Sequence, residues 1–162
     1  MTSDPKGLGA LFDAHTEAEF KTRDIEATMT GGFGREAVRH FYDSWFVGHL
    51  PDDWTVKLLS RTEGEDQVVD EVVISFTHDR PMQVFLPGVP PTGRKVTIPL
   101  VVVVGVKDGK VAHEHIYWDQ ASLLVQIGLL DKGKLPVTGA EQAARLLDPS
   151  LPSNTLIPKS SS

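Results

Sequence analysis

The chain has 162 residues, 40% hydrophobic and 23% charged, with a net charge of −6 and no cysteine. That length fits one domain with a real core, and the composition excludes wholesale disorder. The acidic balance argues against a phosphate-gripping face, and the absence of thiols excludes disulfides, a cysteine nucleophile and thiolate metal sites.

In chain order, Met1 to Ala10 lacks the apolar core of a secretory signal. Leu8, Leu11, Phe12, His15, Ala18 and Glu19 recur at helical spacing, which predicts an amphipathic helix over roughly 6–24. Met29 to Gly34 reads as a breaker. A second helix is expected from Arg35 to about Gly48, with Val38, Phe41, Tyr42, Trp45 and Phe46 as one apolar stripe.

From Thr55 the period changes to two. Strands are expected at Thr55–Arg61, Gln67–His78, Lys95–Val106 and Val111–Trp118. Val84 to Gly93 is a Pro/Gly-rich connection, and Lys107-Asp108-Gly109-Lys110 is a hairpin turn. Val101–Val104 is apolar on both faces, which suits a central strand. The run Ile98–Val106, holding Pro99 and Gly105, is too short to cross a bilayer. A short helix follows over Asp119–Leu130, and Thr138 to Glu141 has capping-box spacing for a helix through Leu147. One domain over 1–147 and a Pro/Ser-rich tail over 148–162, mobile or draped over a neighbour, complete the reading. Helices first and a strand meander after them give an α+β fold, a cone-shaped curved antiparallel sheet covered by N-terminal helices.

The strand Val111 to Trp118 carries the chemistry. If no bulge intervenes, His113, His115, Tyr117 and Asp119 share one face, and Glu114, Ile116 and Trp118 the other. Two imidazoles, a phenol and a carboxylate are costly to bury without a use. Asp119 is suited to act as a base, with His115 or Tyr117 polarising a carbonyl. Asp119 reads equally well as a helix N-cap worth about 1 kcal/mol. His113-x-His115 has metal-pair spacing but lacks a matching third ligand, so no metal and no cofactor are expected. His78 is a candidate for the pocket rim, and Phe41 and Trp45 are candidates for its wall, though both rings suit a core as well. A salt bridge from Asp70 or Glu71 to Arg94 or Lys95 is expected, with His40 and His49 at the surface.

The strings Gly88-Val89-Pro90-Pro91-Thr92-Gly93-Arg94-Lys95-Val96 and Asp108-Gly109-Lys110-Val111, followed by Asp119-Gln120 and Leu123 to Gly128, resemble the SnoaL-like polyketide cyclases of the nuclear transport factor 2-like superfamily. The resemblance covers about residues 31–130. It implies the same cone fold, a catalytic aspartate at Asp119, a pocket-lining role for His115 and a homodimer through the outer sheet face. Where members carry a further short helix and a first strand, this chain has only Ile25 to Thr30. Either the pocket mouth is trimmed there or a segment is missing.

The expected function is cofactor-independent proton transfer by Asp119 and His115 on a small apolar carbonyl compound, of cyclase, isomerase or dehydratase type. His113, Tyr117, His78, Trp45 and Phe41 would line the pocket. The alternatives are a lactone or epoxide hydrolase with Asp-activated water, and a non-catalytic ligand-binding dimer. A small-molecule substrate is expected, with no nucleic acid or membrane partner and a cytoplasmic location.

Overall fold

The structure, a computed structural model, describes residues 22–25, 27–133 and 135–158. Its strands are β1 (Thr22–Ile25), β2 (Thr30–Phe33), β3 (Thr55–Glu63), β4 (Gln67–Thr77), β5 (Lys95–Lys107) and β6 (Lys110–Trp118). The helices among the described residues are α1 (Arg35–Trp45), α2 (Gln120–Gln126) and α3 (Glu141–Leu147). The helix expected over 6–24 lies outside the described residues except for Thr22–Asp24, which belong to β1.

The four long strands form a curved antiparallel meander, as their period of two predicts. One sheet runs in the order β2-β1-β6-β5-β4-β3. One expectation near its edge needs correction. Thr30–Phe33, expected to be part of a breaker, is a strand, and it pairs antiparallel with β1, Ile25 opposite Thr30. β1 lies parallel to β6, so the edge of β6 that a meander alone leaves open is paired over His113–Ile116.

The β5–β6 turn is the one predicted, with Asp108 at φ 54° and Gly109 at φ 72°. Such φ values suit the right-handed twist of the flanking strands. A bulge follows directly: Val106 pairs with Val111 but Gly105 with His113, so Ala112 is the extra residue. Beyond it, alternation along β6 is regular.

The core lies on one sheet face. Val72, Ile74 and Phe76 of β4 and Val96, Ile98 and Leu100 of β5 are all buried and cluster with Val38, Phe41 and Tyr42 of α1. The segment after β4 is more than a surface connection, because Met82, Val84, Phe85 and Leu86 enter this core. There Trp54 stacks on Phe76 with centroids 5.3 Å apart, and Phe85 tilts against Trp118 at 4.9 Å. Each such ring pair adds about 0.5–1.5 kcal/mol beyond its buried area. Trp45, expected on the buried stripe, is 42% exposed and sets its ring edge-on to Phe41 and His40 in the last turn of α1.

β6 stops pairing with β5 at Leu100, and a side chain continues the ladder. Gln126 of α2 accepts from the Thr97 amide at 2.8 Å and donates to the Thr97 carbonyl at 3.0 Å. Its primary amide thus stands in for a strand residue and ties α2 to the sheet. Asp70 pairs with Arg61 through two bonds of 2.7 Å, and Glu71 accepts from Ser60, in place of the expected bridge to Arg94 or Lys95. No helix among the described residues is long and apolar enough to cross a membrane.

Candidate active site

β6 presents two rows. Glu114, Ile116 and Trp118 face the core, and Glu114 is only 5% exposed. Its Oε2 accepts from the Tyr42 hydroxyl at 2.5 Å, joining β6 to α1 through a charge-assisted bond. His113, His115 and Tyr117 form the other row, opposite Gly105, Val103 and Val101 of β5. Three of the four groups expected on one face therefore share it, and that face lies away from the α1 core.

The two imidazoles pack together with ring centroids 5.0 Å apart. His113 lies over Gly105, where an added Cβ would come within 2.1 Å of its Cε1. A glycine opposite the ring is what lets it lie down on the sheet. No cluster of three or more His, Asp or Glu side chains among the described residues is placed to hold a metal ion.

Asp119 stands at the exit of β6. Its Oδ1 accepts from the Ser122 amide at 3.1 Å, which makes it the N-cap of α2. Its Oδ2 accepts from Gln142 Nε2 at 3.1 Å, a contact delivered by α3. Both oxygens are thus oriented by N–H donors, and neither of these donors belongs to a histidine. α3 begins without the expected capping box: its N-cap is Ala140, and Glu141 pairs instead with Lys132.

A groove of about 1030 Å³ opens beside this carboxylate. Tyr117, Asp119 and Val101 line the sheet side, and α3 with residues 151–157 forms the opposite wall. Tyr117 is 42% exposed there. His113 and His115 do not line it, and neither do the remaining pocket candidates. Phe41 is buried in the core, Trp45 is at the end of α1, and His78 is fully buried beneath the loop that follows β4.

His78 makes a 3.1 Å contact from Nδ1 to Thr92 Oγ1, while its buried Nε2 has no hydrogen-bond partner among the described residues. Burial holds its pKa below the usual imidazole value, partly opposed by the charge of Asp79. It is a core imidazole kept neutral.

The sequence placed Tyr42 in the apolar stripe and Glu114 beside Ile116 and Trp118 without linking the two, and it did not single out Gln142 or Arg145. Glu114 had a signal, a lone carboxylate in a row with Ile116 and Trp118. Gln142 and Arg145 had none, because their contacts span the gap between two separate helices or a helix and the tail.

Residues 8–127 match the family described as SnoaL-like polyketide cyclase. A Jannaschia protein assigned as a SnoaL-like polyketide cyclase superposes with TM-score 0.62 at 22% identity, over 78% of this chain and 87% of that one. A Catenulispora acidiphila protein with a ketosteroid isomerase-like fold, solved with trimethylamine, gives 0.53 at 19%, over 80% and 85%. IdmH of Streptomyces antibioticus, assigned as a polyketide cyclase, gives 0.52 at 22%, over 74% and 91%. At these identities the likenesses establish a shared fold. No curated protein matches the chain.

Proposed function

The chain belongs to the SnoaL-like polyketide cyclase family, and from that premise we propose that it is a cyclase- or isomerase-type enzyme using Asp119 as its proton carrier. Membership supports the reaction class. The observation that carries the assignment is a carboxylate fixed by two N–H donors on the wall of a groove large enough for a multi-ring molecule.

In this reading an enolisable carbonyl compound lies against Val101 and Tyr117. Asp119 takes the proton from the carbon next to the carbonyl, and the C–H electron pair moves onto the carbonyl oxygen as an enolate. The phenol of Tyr117, on β6 two residues ahead of Asp119, donates a hydrogen bond to that oxygen. Protonated Asp119 then returns its proton to carbon, at the original or a conjugated position. His115, one strand repeat before Tyr117 in the same row of β6, lies opposite Val103 and does not line the groove.

A second reading has its own observation. Both Asp119 oxygens are already occupied, which suits a purely structural cap. Deuterium wash-in from D2O separates the two. A panel of aryl ketones and β-keto esters should exchange the proton next to the carbonyl in the native protein but not in Asp119→Asn. Asparagine is close to isosteric and keeps an acceptor for Ser122, and its amide N–H can meet a turned Gln142 carbonyl. Equal exchange in the variant would leave Asp119 as a cap only.

A further inference from the structure

The groove beside Asp119 has a wall that the family match does not reach. That match ends at residue 127, whereas α3 and residues 151–157 lie beyond it. What this wall selects therefore lies outside what the family match covers.

The groove is lined by three carboxylates and one guanidinium among the described residues. Glu71 accepts from Ser60, Asp119 from Ser122 and Gln142, and Glu141 is paired with Lys132. Arg145 of α3 is the one cation among the described residues that line the groove. Its Nε and Nη2 both donate to one neutral acceptor, Ser153 Oγ, at 3.2 and 3.1 Å. Among the described residues no carboxylate lies within ion-pair distance of it. Asp148, which feels its field, is held by the Ser150 amide at 2.9 Å and hydroxyl at 2.6 Å. Two Ser153 contacts fix the guanidinium plane and leave its charge and Nη1 for another partner.

Around this cation the groove is apolar. Val101 and Leu151 are 38% exposed, Leu146 42%, Leu156 51% and Ile157 66%. An apolar body would cover these side chains, as ligands do in most small-molecule sites. Arg145 follows Gln142 by three residues, a rise of about 4.5 Å along α3. The cation thus stands one helical turn from the residue that holds Asp119.

We propose that the groove takes an apolar, ring-bearing small molecule with a carboxylate at one end, and that Arg145 is the anchor for that carboxylate. This rests on the reading of the groove as the reaction site, and it adds the acid end that orients the substrate against Asp119. Guanidinium and carboxylate match in geometry as well as charge.

The test uses 2-naphthoate and methyl 2-naphthoate as probes, titrated into the intact protein at low salt. The acid should bind about tenfold more tightly than the ester, as a charge-assisted pair allows. Arg145→Gln should erase that difference without altering ester binding, and Arg145→Lys should keep part of it. Equal binding of acid and ester, or an unaltered acid affinity in Arg145→Gln, would overturn the proposal. So would failure of both probes to bind, whether or not sedimentation shows a second copy of the chain seated on the groove. Asp119→Asn, which removes a nearby negative charge, should bind naphthoate at least as well as the native protein. If that variant also retains exchange activity, the catalytic reading of Asp119 falls while the result for Arg145 stands.

Discussion

The Tyr42 hydroxyl reaches Glu114 Oε2 at 2.5 Å, so the helix that covers the sheet is tied to the strand that carries the site by a buried charged hydrogen bond. Tyr42 and Glu114 are each 5% exposed, and neither is held there by hydrophobicity alone. Removing the phenol takes one charge-assisted donor away from a buried carboxylate. Tyr42→Phe should therefore cost about 1.5–3 kcal/mol, and more than an exposed Tyr→Phe change. Urea unfolding measures this, and a loss below about 0.5 kcal/mol would show that Glu114 is satisfied without Tyr42.

Asp119 should separate into two roles under substitution. Asp119→Ala removes the acceptor for the Ser122 amide and should lower stability by about 1 kcal/mol. Asp119→Asn should keep most of that stability while losing proton exchange. Melting curves and exchange rates on the same two samples decide it, since a pure cap predicts activity that follows folded fraction in both.

His78 gives the protein a pH-dependent stability. Its folded pKa lies below the ordinary value of about 6.5, so the unfolded chain takes up the proton first as pH falls. The stability contribution is whole above about 6.5 and is lost progressively below it, down to the depressed folded value. Thermal midpoints between pH 8 and 5 should drop more steeply in the native protein than in His78→Asn. Parallel curves would assign the acid sensitivity to other groups.

The close approach of His113 to Gly105 predicts a coupled pair. Gly105→Ala must push the imidazole off β5 and should cost about 1–2 kcal/mol by overpacking. In a His113→Ala background the same change should cost less than half as much. A double-mutant cycle by denaturant titration with no coupling would mean the ring moves aside freely.

The local features were legible in the amino-acid order because they depend only on neighbours. Alternation fixed the four long strands, Asp108-Gly109 fixed the hairpin, and the stripe of Val38, Phe41 and Tyr42 fixed α1 as the covering helix. The Asp119 cap and the family resemblance were readable on the same ground. Alternation also separated His113, His115 and Tyr117 from Glu114, Ile116 and Trp118, yet it sorts side chains into rows without saying which row is inside. That choice is made by what packs on the sheet, and α1 buries the row containing Ile116 and Trp118. The β1–β2 hairpin lay hidden because four-residue strands containing glycines carry almost no periodic signal. Gln142 reaches Asp119 across 23 positions, and the tail meets α3 through Arg145 and Ser153. Such contacts exist only once α2, α3 and the sheet are packed. Thus the carboxylate was visible in the sequence, but the groove beside it was decided by tertiary structure, where elements with no local reason to meet bury their surfaces together.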